Sequence, residues 1–421
     1  MHIAILTMGS RGDVQPYVAL GVGLRNVGHK VTLATFADFE PFVRQHGLDF
    51  APIAGDIREL LETDEGREVL NTAGRPLRLL RGVRRVVRLV EPLLVQIVRD
   101  VWRACQGADR VVAASLLYYY GDYMAHILDV PLYLSSHGPK APTRVFPQLW
   151  FPDLSAWLPV GEDWYNLLTH HVAQQLLGRF KSPLLARPWR AVFGEPLPTM
   201  SSRRPLPTLY CCSPTVLPKP VDWDDQQHVT GYWFLDGRSD WQPSTELVDF
   251  LQAGSPPVCV GFGSMGSNEP EEMTRTVVGA LRRSHQRGIL LTGWGGLRAG
   301  ALPDDVFEAG DVPYAWLFPQ VAAVVHHGGA GTTGECLRAG VPSINVPFFA
   351  DQPFWARRVC ALGVGPQPIP RKGLSVERLA EAITAAVSDG DMQRRAAGLG
   401  RQIRAEDGVR RAVQIVTGCG V

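Results

Sequence analysis

The stretch His326-His327-Gly328-Gly329-Ala330-Gly331-Thr332-Thr333-Gly334-Glu335 decides how this chain is read. Before it, Val321–His326 has the length and branched apolar content of a buried strand; after the turn Gly328–Thr333, residues Thr333–Ala339 have helical spacing. A strand that passes through a small-residue turn into a helix presents free backbone N–H groups at the positive end of the helix dipole, which favours an anion. Gly329 and Gly331 leave room for close approach, His327 adds an imidazole donor, and Thr332 and Thr333 add hydroxyls. Glu335, one turn on, suits two vicinal hydroxyls of a ribose, or else a solvated helix face.

The same alternation extends outward on both sides. Upstream, Pro257–Phe262 reads as a strand, Gly263-Ser264-Met265-Gly266 as a turn, Pro270–Arg287 as a helix and Gly288–Thr292 as the next strand. Downstream, strand Val341–Val346 leads to Pro347-Phe348-Phe349-Ala350-Asp351-Gln352 and a helix from about Pro353. The N-terminal half repeats the pattern: strand Ile3–Thr7, a Gly-rich turn, a helix from about Val14 to Val27, then strands at Lys30–Thr35, Arg110–Ala113 and Pro131–Ser135. Such order implies parallel sheets with right-handed crossovers.

At 421 residues the chain suits two domains rather than one core. The fold class expected is α/β: two Rossmann-like, doubly wound domains facing across a cleft, with ligands at the carboxyl ends of the strands. The first domain spans residues 1–235, including a Pro-rich connection of about 194–235 that resists regular structure; the second spans 236–421, its last helix packing back on the first.

Composition narrows the function. The formal net charge of +1 provides no field to recruit nucleic acid. Seven scattered cysteines, with no CxxC, read as reduced cytoplasmic thiols. The N-terminus is a buried strand rather than a signal segment, and no apolar run approaches the roughly 20 residues that span a bilayer. Arg75–Trp102, with Arg78, Arg81, Arg85 and Arg88 on one face, reads as a solvated helix; its alternative is a weak peripheral contact with a membrane.

Other motifs add to the anion-site segment. Gly261-Phe262-Gly263-Ser264 offers a second set of free amides. Asp351 and Gln352 suit the hydroxyls of a hexose, and Asp351 also suits a helix N-cap. Together with Gly9-Ser10-Arg11-Gly12-Asp13-Val14-Gln15-Pro16, Ser213–Leu235, Val312–Gly340 and Val346–Arg358, these stretches make the chain resemble GT-B glycosyltransferases. The resemblance is to the sterol 3-beta-glucosyltransferase-like branch of the inverting UDP-glycosyltransferases, which includes bacterial natural-product enzymes.

That resemblance implies that His327, Gly331 and Thr332 contact the diphosphate, that Glu335 takes the ribose, and that Asp351 and Gln352 take the transferred sugar. The turn amides at Gly263 and Ser264, with Gly329 and Thr333, read as further parts of the same nucleotide-sugar site. Val312 falls where the family's backbone grips the base. One departure stands out: Leu317 occupies the place of a base-stacking tryptophan in plant relatives, leaving Trp294 and Trp316 as substitutes. Glu335 favours UDP over dTDP, since a deoxyribose has one hydroxyl fewer.

Transfer to an alcohol needs a base for the hydroxyl proton. Alone, Asp13 reads as a helix N-cap; in the resemblance, the Asp of GSRGDVQP is that base. Inverting attack on an alpha-linked donor gives a beta-glycoside. No metal or other cofactor is expected, because the DxD-like Asp222-Trp223-Asp224 lies in the Pro-rich connection and reads as solvated, while His327 and the helix N-terminus neutralise the leaving group. Ser10, His137, Phe146 and Trp150, with neighbouring aromatics, are the candidates for a lipophilic acceptor site. The competing readings are a dTDP-sugar-dependent antibiotic glycosyltransferase, and a catalytically silent relative that activates a partner. A dehydrogenase fits poorly, because Gly21-Val22-Gly23 falls inside the first helix.

Overall fold

The structure is a computed structural model that describes residues 1–55, 92–154, 161–198, 206–236, 241–263, 270–292, 297 and 302–418. The chain divides into two compact units: one of Met1–Cys211, Lys219–Leu235 and Gly408–Val421, the other of Cys212–Pro218 and Asp236–Asp407.

The first unit holds a seven-stranded sheet of β1 (His2–Leu6), β2 (Lys30–Phe36), β3 (Asp49–Ile53), β4 (Arg110–Ala114), β5 (Leu132–Ser136), β6 (Thr208–Tyr210) and β7 (Gln227–Val229). Their order is β3-β2-β1-β4-β5-β6-β7, all parallel. Ile3, Ala4, Ile5 and Leu6 are fully buried, as a central parallel strand covered on both faces must be. The last helix, Gly408–Thr417, packs on the first, Arg11–Asn26. Gly21 and Gly23 are therefore packing glycines: a Cβ at Gly21 would lie 2.7 Å from Leu48 and one at Gly23 2.5 Å from Val409.

The second unit holds β8 (Val258–Gly261), β9 (Gly288–Leu291), β10 (Val306–Ala309), β11 (Ala323–His326) and β12 (Ser343–Asn345), ordered β10-β9-β8-β11-β12 and again all parallel. In each unit the order reverses once, between β1 and β4 and between β8 and β11. Ligands of open α/β sheets bind just beyond the carboxyl ends of the strands at that reversal. Leu6 leads from β1 to the Asp13 turn, and His326 and Gly261 lead from β11 and β8 to the two Gly-rich turns.

Three sequence expectations need correction. Helices Arg11–Asn26 and Ala330–Ala339 both start three residues earlier than their patterns suggest, because Arg11-Gly12-Asp13 and Ala330-Gly331-Thr332 form first turns. First-turn amides need no intrahelical acceptor, so glycine is tolerated there despite its low propensity. The Pro-rich connection supplies strands β6 and β7, since its prolines flank short apolar runs that reach the sheet edge. Asp222-Trp223-Asp224 is not merely solvated: Asp222 accepts from Thr143 Oγ1 (2.7 Å) and Arg144 N (2.8 Å), and buried Trp223 stacks on Tyr210 at 4.7 Å. Most of the expected arginine-rich helix, including Arg78 to Arg88, lies outside the described residues, as do Ser264, Trp294 and Trp157, one of the aromatics that neighbour Trp150 in the sequence.

Candidate functional site

In the second unit, the two adjacent histidines at the end of β11 have different environments. His326 is fully buried; Gly328 N–H donates to its Nδ1 (3.1 Å), so its Nε2 carries the hydrogen and donates to Ser343 Oγ (2.8 Å) on β12. Burial, aided by the neighbouring His327, pushes its pKa down to about 3. The neutral ring thus pins the turn at Gly328, whose φ of 85° favours glycine.

The His327 ring lies against Gly263 and Gly329. A Cβ on Gly263 would be 3.2 Å from its Cε1, and one on Gly329 only 2.4 Å from its Nε2. Its Nδ1 is enclosed, with no hydrogen-bond partner among the described residues. Burial pushes its pKa down to about 4, so His327 carries no charge at neutral pH. It offers a hydrogen bond rather than the charge neutralisation that the sequence suggested. Gly263 and Gly329 thus make room for the His327 ring, whereas Gly331 faces open space.

The helix Ala330–Ala339 leaves the amides of Ala330, Gly331 and Thr332 without intrahelical acceptors; its first bond runs from Thr333 N to Gly329 O (2.9 Å). With a partial charge of roughly half a unit at the helix start, these amides form the positive element of the site. Thr332 is half-buried, but Thr333 is fully buried, its hydroxyl enclosed with no partner among the described residues. One turn on, the Glu335 carboxyl is largely enclosed, and burial pushes its pKa up to about 7, with Arg338 opposing and Asp236 adding to the rise.

The turn after β12 is shaped from within. Gln352 is buried, and its Oε1 accepts from Phe348 N (2.8 Å) and Phe349 N (3.1 Å), drawing the loop into a hairpin-like bend with Ala350 at φ 58°. Asp351 stands at the N-cap position of helix Gln352–Ala361 without a side-chain capping bond; its Oδ2 accepts from Trp355 Nε1 (3.0 Å). Gln352→Leu keeps the bulk but leaves two loop N–H groups unpaired, and is expected to lower stability by about 1–2 kcal/mol. The corresponding fall in Tm is roughly 3–6 °C, and melting indistinguishable from the native chain would contradict this role. Val312 is buried among Leu317 and Phe318; Leu317 has no exposed surface, whereas half-buried Trp316 packs 5.1 Å from Trp241.

In the first unit, Asp13 is not the N-cap. Ser10 is, and Asp13 stands three residues into the box: its Oδ2 accepts from Ser10 N (2.8 Å) and Ser10 Oγ (2.9 Å). Gly9, at φ 140°, is required by the same carboxylate, for a Cβ there would meet Oδ2 at 2.4 Å. Oδ1 is bound by none of these groups. One turn on, buried Tyr17 accepts from Ser135 Oγ (2.8 Å) and packs edge-on against His137 at 5.9 Å. Burial first, then Cys211 and Asp13, hold the Tyr17 phenol well above its ordinary pKa. His137 Nδ1 is 3.1 Å from Cys211 Sγ.

Phe146 is half-buried, its ring 6.4 Å from Trp223, and Trp150 is 59% exposed. Helix Glu162–Phe193 adds exposed Trp164, Leu168, Val172 and Leu176 at four-residue spacing. Sequence reasoning missed Tyr17, Asp236 and Arg338; only Tyr17 and Arg338 carried a signal, lying one turn from Asp13 and Glu335.

Residues 3–147 match the Glycosyltransferase family 28 N-terminal domain, and residues 294–416 the Erythromycin biosynthesis protein CIII-like, C-terminal domain. An O-mycaminosyltylonolide 6-deoxyallosyltransferase of Streptomyces fradiae is 38% identical over 99% of this chain and 97% of its own. Sterol 3-beta-glucosyltransferases of Emericella nidulans and Arabidopsis thaliana are 38% and 37% identical over 99% and 98% of this chain. The chain spans 30% of the fungal protein and 67% of the plant one. Among solved structures, the glycotransferase of kitacinnamycin superposes with a TM-score of 0.70 at 21% identity, over 100% of this chain and 99% of its own. A Streptomyces sp. SF2575 glycosyltransferase complexed with thymidine diphosphate gives 0.62 at 21%, over 99% of both chains. The chain therefore belongs to the GT-B glycosyltransferases, in the branch that holds sterol 3-beta-glucosyltransferases and bacterial natural-product glycosyltransferases.

No helix among the described residues is long and apolar enough to cross a membrane, and the six described cysteines are free thiols.

Proposed function

We propose that the protein transfers a hexose, glucose in the first instance, from a UDP-sugar to a hydroxyl of a lipophilic acceptor such as a sterol, triterpenoid or polyketide. The observation that carries this reading is that both candidate clusters stand at the strand-order reversal of their own sheet. Asp13, with Oδ2 tied to Ser10, accepts the acceptor's proton on Oδ1 as the oxygen–carbon bond forms. The bond to the nucleoside diphosphate breaks on the opposite face, inverting the anomeric centre through an oxocarbenium-like state.

The amides of Ala330, Gly331 and Thr332 receive the charge of the leaving diphosphate, a role that needs no metal. His327 donates one hydrogen bond, Glu335 accepts from the ribose, and Asp351 meets the sugar, held by Trp355. Gln352 acts by shaping the loop that presents Asp351. Exposed Trp150 with the Trp164–Leu176 stripe supports an apolar acceptor and a weak peripheral membrane contact.

A second reading, a dTDP-sugar donor, is favoured by the 6-deoxyallosyltransferase relative and by the thymidine diphosphate in the Streptomyces structure. Incubating UDP- and dTDP-sugars with sterol, triterpenoid and polyketide alcohols, with products read by mass spectrometry, tests both. Hexose-shifted products from UDP-glucose are expected. Products from dTDP-sugars alone would establish the second reading, and donor hydrolysis with no acceptor product would sink the acceptor class.

A further inference from the structure

We propose that Asp236 is a positioning residue for the donor: it holds Arg338 away from Glu335, leaving one Glu335 carboxylate oxygen ready for the ribose 2′-hydroxyl. The proposal rests on the reading that Glu335 takes the ribose.

Glu335 and Arg338 are one turn apart on helix Ala330–Ala339, a spacing at which a Glu–Arg pair ordinarily closes. Here the pair stays loose and makes no hydrogen bond. Arg338 Nη2 lies 2.5 Å from Asp236 Oδ1, whereas Arg338 Nη1 is 4.0 Å from Glu335 Oε2, beyond hydrogen-bond reach. Glu335 Oε2 is buried and accepts no hydrogen bond among the described residues. The asymmetry follows from hydration: the Asp236 side chain is 70% exposed and keeps its water, while the Glu335 side chain is 12% exposed and would have to pair as a desolvated ion. The guanidinium therefore stays with the hydrated partner.

Asp236 is the first residue of the second unit's main segment and lies about a hundred positions upstream of the helix, so no local motif announces it. Among the described residues, the charged groups acting on Glu335 are Arg338, which favours its ionised form, and Asp236, which opposes it; with burial, the largest influence, they leave the carboxyl titrating at about 7. A ribose hydroxyl donating to Oε2 favours the carboxylate, so affinity for a ribonucleotide rises as pH climbs through that value. A 2′-deoxyribose supplies one donor fewer and gains less.

The test measures binding of UDP and of 2′-deoxy-UDP at pH 8, where Glu335 is ionised, to the native protein and to Asp236→Asn, Asp236→Glu and Glu335→Gln. In Asp236→Asn the freed guanidinium closes on Glu335. UDP affinity is expected to fall about tenfold, the scale of a charge-assisted hydrogen bond, with 2′-deoxy-UDP nearly unchanged. Asp236→Glu restores UDP binding, and kcat at saturating donor stays at the native level. Equal losses for both nucleotides in Asp236→Asn, or no loss for either, would overturn the role of Asp236. If Glu335→Gln binds UDP and 2′-deoxy-UDP as the native protein does, the ribose reading itself fails. If only Glu335→Gln erases the preference, Glu335 keeps its role and Asp236 loses its own.

Discussion

Asp13→Asn is expected to lower kcat for glycosyl transfer by about a thousandfold, within the range that a positioned general base supplies. UDP binding should stay within about twofold of native, because the donor groups lie in the other unit. The substitution is chosen to separate chemistry from structure. An asparagine Oδ can still accept from Ser10 N–H and Oγ, so the helix start at Arg11 survives, while the site has no carboxylate to take a proton. Asp13→Ala removes the box as well and is expected to lose about 1 kcal/mol of stability in addition. Gly9→Ala should imitate the loss of turnover with the carboxylate intact, since its Cβ would overlap Oδ2 at 2.4 Å and displace it. Single-turnover rates, UDP affinity and melting temperature for the three variants check the set. Asp13→Asn retaining a tenth or more of native turnover would remove Asp13 as the base.

The alternation of strand and helix, and hence both parallel sheets, could be read from the sequence because buried parallel strands are short apolar runs bounded by turn residues. Val258–Gly261 and Ala323–His326 are such runs. Short edge strands were not legible: Thr208–Tyr210 and Gln227–Val229 are three residues each, set among prolines, and are strands only because β5 offers a free edge to the first and the first offers one to the second. Helix starts were misplaced where glycine or Asp occupies the first turn, since propensity describes helix interiors and not amides that need no acceptor.

At the candidate site the sequence pointed to a segment but not to how its residues are arranged within it. Nothing in His326-His327 tells which ring is locked to a neighbouring strand; that depends on Ser343, reached only through the pairing of β11 with β12. Gly329 looked like room for a ligand, yet its missing Cβ is occupied by the His327 ring. Gln352 looked like a sugar ligand, and its carbonyl oxygen is spent on the loop. Asp236 was invisible because its partner is distant in sequence. The Ser343 and Asp236 contacts are tertiary, and local pattern carries no information about them; those of Gly329 and Gln352 are close in sequence but depend on the path each turn takes.

Gly329→Ala should damage donor binding nearly as much as removing the imidazole. The new Cβ falls 2.4 Å from His327 Nε2, and retreat is limited because Gly263 already stands close to Cε1. Either the ring leaves or the first turn of helix Ala330–Ala339 moves, and both separate the amides from the ring nitrogen. UDP affinity is expected to drop about a hundredfold in Gly329→Ala, and about tenfold in His327→Ala, which removes one hydrogen bond but leaves the helix start in place. Overlap predicts non-additivity: the double variant His327→Ala, Gly329→Ala should melt higher than Gly329→Ala alone, because the ring that the methyl strikes is gone.

Acid titration supplies an independent reading of the same ring. The folded-state pKa of His327 lies below its usual 6.5, at about 4, so protonation favours the unfolded chain. The contribution of the neutral ring to stability is complete above pH 6.5 and declines as pH falls toward 4, with that of His326 declining on toward about 3. His327→Ala should therefore lose stability less steeply between pH 6.5 and 4 than the native protein, measured as denaturant midpoints across that window. Parallel slopes would mean that the His327 ring is not held neutral by burial. Additive melting temperatures in the double-variant cycle would mean that Gly329 is not what makes room for it.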